Sequence, residues 1–188
     1  MTIRALAWGL AHRQRWAVVD ILRHFHIPFP FQWSPYYRDF KRFYSGLDVQ
    51  DKFVLDIGSD YGTTPLCFLN KGAICVFGYS MDEQVFSHPD YVHIKGVASG
   101  QAIMSMNGGY NGCLKSDAEG IEWDLTEDFI DSFEDWIICL HAPVRNKELH
   151  RWIVRNGRYI GRQGKCEFAI YQKRKSNENN GHNSGIQA

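Results

Sequence analysis

The chain of 188 residues has no net charge, since 21 Lys and Arg are matched by 21 Asp and Glu. No global field therefore draws it to nucleic acid or to an anionic membrane, and any such contact must come from a local patch. No apolar run approaches the roughly 20 residues that span a bilayer. The start, MTIRALAWGLAHRQR, is a brief apolar stretch followed by basic residues and does not read as a signal peptide. CxxC pairs and Cys/His clusters of zinc-site spacing are absent. The five cysteines, Cys67, Cys75, Cys113, Cys139 and Cys166, stand far apart and mostly within apolar runs, as buried reduced thiols do. There is no internal repeat. These absences favour a soluble, cytoplasmic protein without a metal, built as one domain with appendages.

What is present changes character along the chain. Residues 13–26 place Trp16, Val19, Leu22 and Phe25 on one helical face, and HIPFPF stops that helix because proline cannot continue it. SPYYRDFKRFYSGL predicts a second helix, with Ser34 as cap, Pro35 at the first position and Gly46 at the end. Residues 1–46 thus read as a helical, aromatic-rich extension. From Lys52 onward, short apolar or β-branched runs (FVLDI, AICVFGY, YVHIKGV, DWIICLH) alternate with stretches able to be helical, the pattern of βα units and a mostly parallel sheet. A final hairpin, GRYIGRQGKCEFAIYQKR, closes the sheet edge at residue 174. Residues 175–188 hold almost nothing to bury and are expected to be disordered.

The stretch FVLDIGSDYGTTPL carries the first candidate site: strand, glycine turn, helix start. Its spacing is DxGxxxG, not the GxGxxG that seats a pyrophosphate, and Asp60 within the turn opposes a phosphate at close range. The loop suits a nucleoside without a phosphate, such as S-adenosylmethionine, whose charges are positive. DIGSDYG resembles the first motif of the Rossmann-like class I methyltransferases. Farther on, Lys115–Glu122 (KSDAEGIE) resembles the KxDxEGxE signature of the FkbM-type methyltransferases, which act mostly on hydroxyl oxygens. HIKGVAS resembles that family's third strand and turn, so the motifs occur in order over residues 52–174. The resemblance implies an open Rossmann-like sheet and S-adenosyl-L-methionine as cofactor. It implies a cofactor cradle of Asp56, Gly58, Ser59, Asp60, Tyr61 and Gly62, with Tyr79, Ser80 and Asp82 toward the adenosine and Glu119 as a further cofactor-binding candidate.

The chain departs from that pattern in three places. The second strand ends VFGYSMDE, with Tyr79 or Ser80 where a ribose-binding acid is usual and Asp82 just beyond. SGQAIMSMNGGYNG leaves little room for the usual intervening helix, and Leu140 replaces an acid before His141. Methyl transfer to a hydroxyl needs an aligned nucleophile and a nearby base, and the candidates are Asp117 and His141, with Lys115 on the same face as Asp117. Each also has a structural reading: Asp117 and Glu119 as helix caps, His141 as a bonded core residue, Lys115 as an ion-paired side chain. Asp117, Glu119 and Glu122 lack a second acidic cluster to complete a metal shell. The expected partner is a small-molecule or glycan acceptor. Two alternatives remain: a non-catalytic scaffold, and a nucleic-acid methyltransferase supported by the basic and aromatic run YYRDFKRFY, although the NPPY tetrapeptide is absent.

Overall fold

The computed structural model describes residues 35–81, 87–96, 99–105, 112–163 and 168–175. The proposed first helix, Asp82, Cys166 and the C-terminal tail lie outside them. Seven strands form one sheet: β1 (Phe53–Ile57), β2 (Cys75–Ser80), β3 (Tyr91–Lys95), β4 (Gly112–Ser116), β5 (Asp135–Leu140), β6 (Gly157–Gln163) and β7 (Phe168–Lys173). Their order is β3-β2-β1-β4-β5-β7-β6, parallel from β3 to β5, with β7 antiparallel to both β5 and β6. The expected open Rossmann-like sheet with an antiparallel C-terminal hairpin is therefore the fold. Order reverses between β1 and β4, which opens a crevice at their carboxyl ends.

The helices are α1 (Pro35–Asp39), α2 (Thr63–Asn70), α3 (Gly100–Ser105), α4 (Glu127–Asp131) and α5 (Lys147–Asn156). Two of these differ from expectation. The helix expected over residues 34–46 is α1 followed by a π-helical turn, Phe40–Tyr44, whose larger number of residues per turn goes with Phe40, Phe43 and Tyr44 all being buried. A six-residue helix, α3, does fit between β3 and β4.

Strand alternation sorts the core into two layers. On one face Phe40, Phe43, Tyr44 and Leu47 pack with Val54, Phe68, Ile137 and Cys139. Ile57, Leu114, Trp136 and Ile138 meet Leu149 and Ile153 of α5 on the other. Described residues before position 47 therefore complete the first layer, while Arg38, Lys41 and Arg42 face water. β5 is buried along its whole length because it is covered on both faces. Cys67, Cys75, Cys113 and Cys139 are all free thiols. Burial pushes the Cys113 thiol up to about 12. No helix among the described residues is long and apolar enough to cross a membrane.

Candidate active site at the carboxyl ends of β1 and β4

The two motif loops meet at the crevice. Ile57 and Ser116 are register partners at the ends of β1 and β4, and the Asp117 amide donates to the Ile57 carbonyl at 2.8 Å. Gly58 permits this approach. It sits at φ 84°, and a Cβ there would stand 1.9 Å from the Asp117 carbonyl oxygen, so no side chain fits. Its amide and that of Ser59 both donate to the Tyr79 carbonyl, at 2.8 and 3.0 Å, and the Gly62 amide donates to Ser59 at 2.8 Å. Three amides that a phosphate loop would aim outward are spent within the protein. Tyr61 at φ 58° and Gly62 at φ 90° complete a strained turn of the kind that collects at ligand sites.

Beneath the loops lies a buried ion pair. Asp56 and Lys115 are both fully buried, and Lys115 Nζ is 2.9 Å from Asp56 Oδ1. The ammonium also donates to the Gly58 carbonyl, and the Thr64 hydroxyl donates to Asp56 Oδ2. Burial pushes the Asp56 carboxyl up, opposed by the charge of Lys115 and the Thr64 bond. Asp56, a cofactor-binding candidate, and Lys115, a catalytic candidate, both have no exposed side-chain surface, and their bonds tie the first loop to the start of α2.

Above them a polar chain runs across the crevice. The Tyr44 hydroxyl donates to Asp117 Oδ2 at 2.5 Å, and its ring faces Lys115 Nζ at 5.2 Å. Asp117 Oδ1 is 3.3 Å from His141 Nε2, and His141 Nδ1 is 2.9 Å from Glu122 Oε1. Glu122 is fully buried and also accepts the backbone amides of His141 and Gly120, at 2.7 and 2.9 Å. Burial alone would lower the His141 pKa, but hydrogen bonds to Asp117 and Glu122 outweigh it and raise it to about 9. Burial likewise opposes the Asp117 charge, yet the His141 bond, the charge of Lys115 and the Tyr44 bond bring its pKa to about 2. At neutral pH the raised His141 pKa keeps the ring an imidazolium, bonded to Asp117 on one side and Glu122 on the other.

The remaining expected residues are placed as follows. Tyr79 and Ser80 end β2 and are buried, while Glu119 is exposed in the turn at φ 47°. Residues 121–124 form a 3₁₀ turn instead of the expected α-helix, and within this tighter winding Glu122 is turned inward to His141. Of Asp117, Glu119 and Glu122, Glu119 is exposed whereas Glu122 is fully buried. A different trio, Asp117, Cys139 and His141, brings donor atoms within 4.8 Å of one another. Both Asp117 oxygens and both His141 nitrogens already have partners. Tyr44, Thr64 and Glu122 also belong to the cluster, although the motifs mark none of them as a cofactor-binding or catalytic candidate. The spacing from Asp56 to Thr64, a strand end to a helix start, was the available signal for Thr64.

The donor set fits S-adenosylmethionine. The carboxylate of Asp117 stands at the end of β4 beside the first loop, and the Gly58, Ser59 and Gly62 amides of that loop are not left for a phosphate. The Ser116 hydroxyl is fully buried at the end of β4 with no hydrogen-bond partner among the described residues, an unspent donor close to the junction of the two loops.

No family model matches the chain. Chains of similar fold include TrmK of M. capricolum in complex with S-adenosyl-homocysteine, with TM-score 0.47 and 12% identity over 70% of this chain and 65% of that one. A ribosomal protein L11 methylase from Lactobacillus delbrueckii subsp. bulgaricus has TM-score 0.47 and 12% identity over 66% and 69% of the two chains. A candidate hemolysin from Lactococcus lactis has TM-score 0.46 and 15% identity over 72% and 83%. In sequence, the chain is 28% identical over 116 residues to uncharacterized protein 65 of Sulfolobus islandicus filamentous virus (isolate Iceland/Hveragerdi), covering 60% of this chain and 73% of that protein. It is 30% identical over 123 residues to uncharacterized protein 158B of Sulfolobus islandicus rod-shaped virus 1, covering 60% of this chain and 75% of that protein. The chain belongs to the family of this viral protein 158B.

Proposed function

We propose that this chain is an S-adenosylmethionine-dependent methyltransferase. The observation that carries the reading is the meeting of the DIGSDYG and KSDAEG loops at the switch point of the sheet, with the Asp117 carboxylate beside a turn whose Gly58, Ser59 and Gly62 amides are spent within the protein. Asp117, Ser80, the Gly58–Gly62 turn and the Ser116 hydroxyl would hold the cofactor. When bound, it supplies an electrophilic methyl group on a sulfonium.

The finer reading, taken from the KxDxEGxE resemblance, is methylation of a hydroxyl oxygen on a small molecule or glycan, without a metal. Of the three catalytic candidates, Lys115 is a buried ion-paired ammonium and His141 carries both its protons at neutral pH. Only Asp117 is left to accept a proton. A carboxylate of such low pKa is a weak base toward a free hydroxyl. It is sufficient toward the hydroxyl whose oxygen is already gaining the methyl group, because that proton becomes far more acidic than a carboxyl. Tyr44 and His141 then aim Asp117, and Lys115 steadies its charge from below.

Calorimetric titration of the purified chain with S-adenosylmethionine and S-adenosylhomocysteine, with NAD as control, tests this. Micromolar binding of the first two and none of NAD is the expected result. Absence of binding by the folded protein would leave a Rossmann-like scaffold.

A further inference from the structure

The charges of this neutral chain are sorted along its length. Residues 145–175 hold ten basic residues against Glu148 and Glu167, a net charge of +8, whereas residues 43–144 hold four lysines against sixteen acids. The basic excess is built into α5 and the hairpin. Lys147, Arg151 and Arg155 follow one another at i, i+4 and i+8, so they form one stripe along the helix, opposite the buried Leu149 and Ile153. All three are exposed and make no ion pair or hydrogen bond among the described residues. Like charges at this spacing work against the helix that carries them, so the stripe is not there for stability.

The stripe starts beside the candidate active site. Asn146 caps α5 five residues after His141, accepting the Leu149 amide at 3.0 Å. The preceding Arg145 lies against Gly120 of the KSDAEG turn, its Cζ 3.5 Å from where a Cβ would stand. At the other end of the helix, β6 presents Tyr159, 52% exposed. Its cross-strand partner Tyr171 packs on the same core layer as α5, so the ring and the helix occupy one face of the sheet.

We infer that this α5 and β6 surface binds single-stranded nucleic acid, with phosphates on Lys147, Arg151 and Arg155 and a base stacked on Tyr159. Four helical residues rise about 6 Å, a step that lets successive cations take successive phosphates of an extended strand, and an exposed tyrosine beside them supplies a sequence-tolerant stacking platform. An anionic membrane fits less well, because Leu149 and Ile153 of α5 are buried in the core and Val154 is the one large apolar side chain the helix exposes, too little to insert. The proposal stands independently of methyl transfer.

Fluorescence anisotropy of a labelled mixed-sequence 20-nucleotide single strand, titrated with the full chain between 50 and 200 mM salt, provides the test. Micromolar binding at 50 mM is expected, weakening steeply with salt. The variant Lys147→Gln/Arg151→Gln/Arg155→Gln changes only exposed side chains, and its fold is checked by circular dichroism. Affinity should fall at least tenfold, and the salt slope should drop by about 2, from roughly 0.7 per lost phosphate contact. Tyr159→Ala should weaken binding severalfold without changing the slope. Unchanged binding by the triple variant would overturn the proposal. So would binding of phosphatidylserine vesicles together with no binding of the strand.

Discussion

Lys115→Met should destabilise the fold by about 3–5 kcal/mol, the range expected when one member of a buried ion pair is removed. Lys115 and Asp56 have no exposed surface, and Lys115 is the ammonium held 2.9 Å from Asp56 Oδ1. Methionine keeps the length and apolar stem of the side chain, so packing against Tyr44 changes little and the loss is electrostatic. Asp56 is left with Thr64 alone. Its carboxyl, already pushed up by burial and restrained by Lys115, must rise further toward the protonated form. A group with a raised carboxyl pKa favours the folded state at lower pH, so the variant should regain stability as pH falls toward 5. The double variant Lys115→Met/Asp56→Asn should recover most of the loss at neutral pH, because no uncompensated charge remains. Urea unfolding of the three proteins at pH 5 and 7.5 measures each step.

His141 gives the second large effect, as a pH dependence of stability. Its pKa is raised from 6.5 to about 9 because the bonds to Asp117 and Glu122 outweigh the cost of burial. A histidine with a raised folded-state pKa stabilises fully below the unfolded value of 6.5 and loses that contribution as pH rises through about 9. At roughly 1.4 kcal/mol per pKa unit, the contribution is at most about 3–4 kcal/mol. The lowered Asp117 pKa describes the same interaction from its other partner and is not added to it. It sets the acid limit: the stabilisation holds above 3.8 and fades as pH falls through about 2. Relative to His141→Gln, the parent should therefore be more stable at pH 6, with the advantage largely gone by pH 9.5. Proton NMR of the His141 ring should show a midpoint near 9. A midpoint at 6.5 would mean that the imidazolium is not held between the carboxylates.

Much of the framework was legible in the sequence because it depends on local pattern. FVLDI and DWIICL are short apolar runs bounded by turn residues, and both are strands. The glycines of DIGSDYG and KSDAEG mark backbone positions at φ 84°, 90° and 106° that favour glycine. The roles of the charged residues were less legible, since burial of a charge is decided by partners far away in sequence. Tyr44 reaches Asp117 across 73 positions, and only the π-helical turn aims it there. Glu122 turns inward because residues 121–124 adopt a 3₁₀ pitch, which the pattern DAEGIE does not distinguish from a helix start. Asp56 and Lys115 look like ligand-facing residues in the motifs, whereas the register of β1 with β4 pairs them directly below the loops. Charge counted over the whole chain likewise hid the basic stripe of α5, whose alignment appears only on the helix.

The methyltransferase reading rests on the crevice between the two motif loops, and mapping backbone amide shifts of isotopically labelled protein during titration with S-adenosylhomocysteine tests it most directly. Shifts centred on Gly58, Gly62, Ser80, Ser116 and Asp117 are the expected result. A saturable response centred away from these residues, or no response at millimolar ligand from the folded protein, would contradict it.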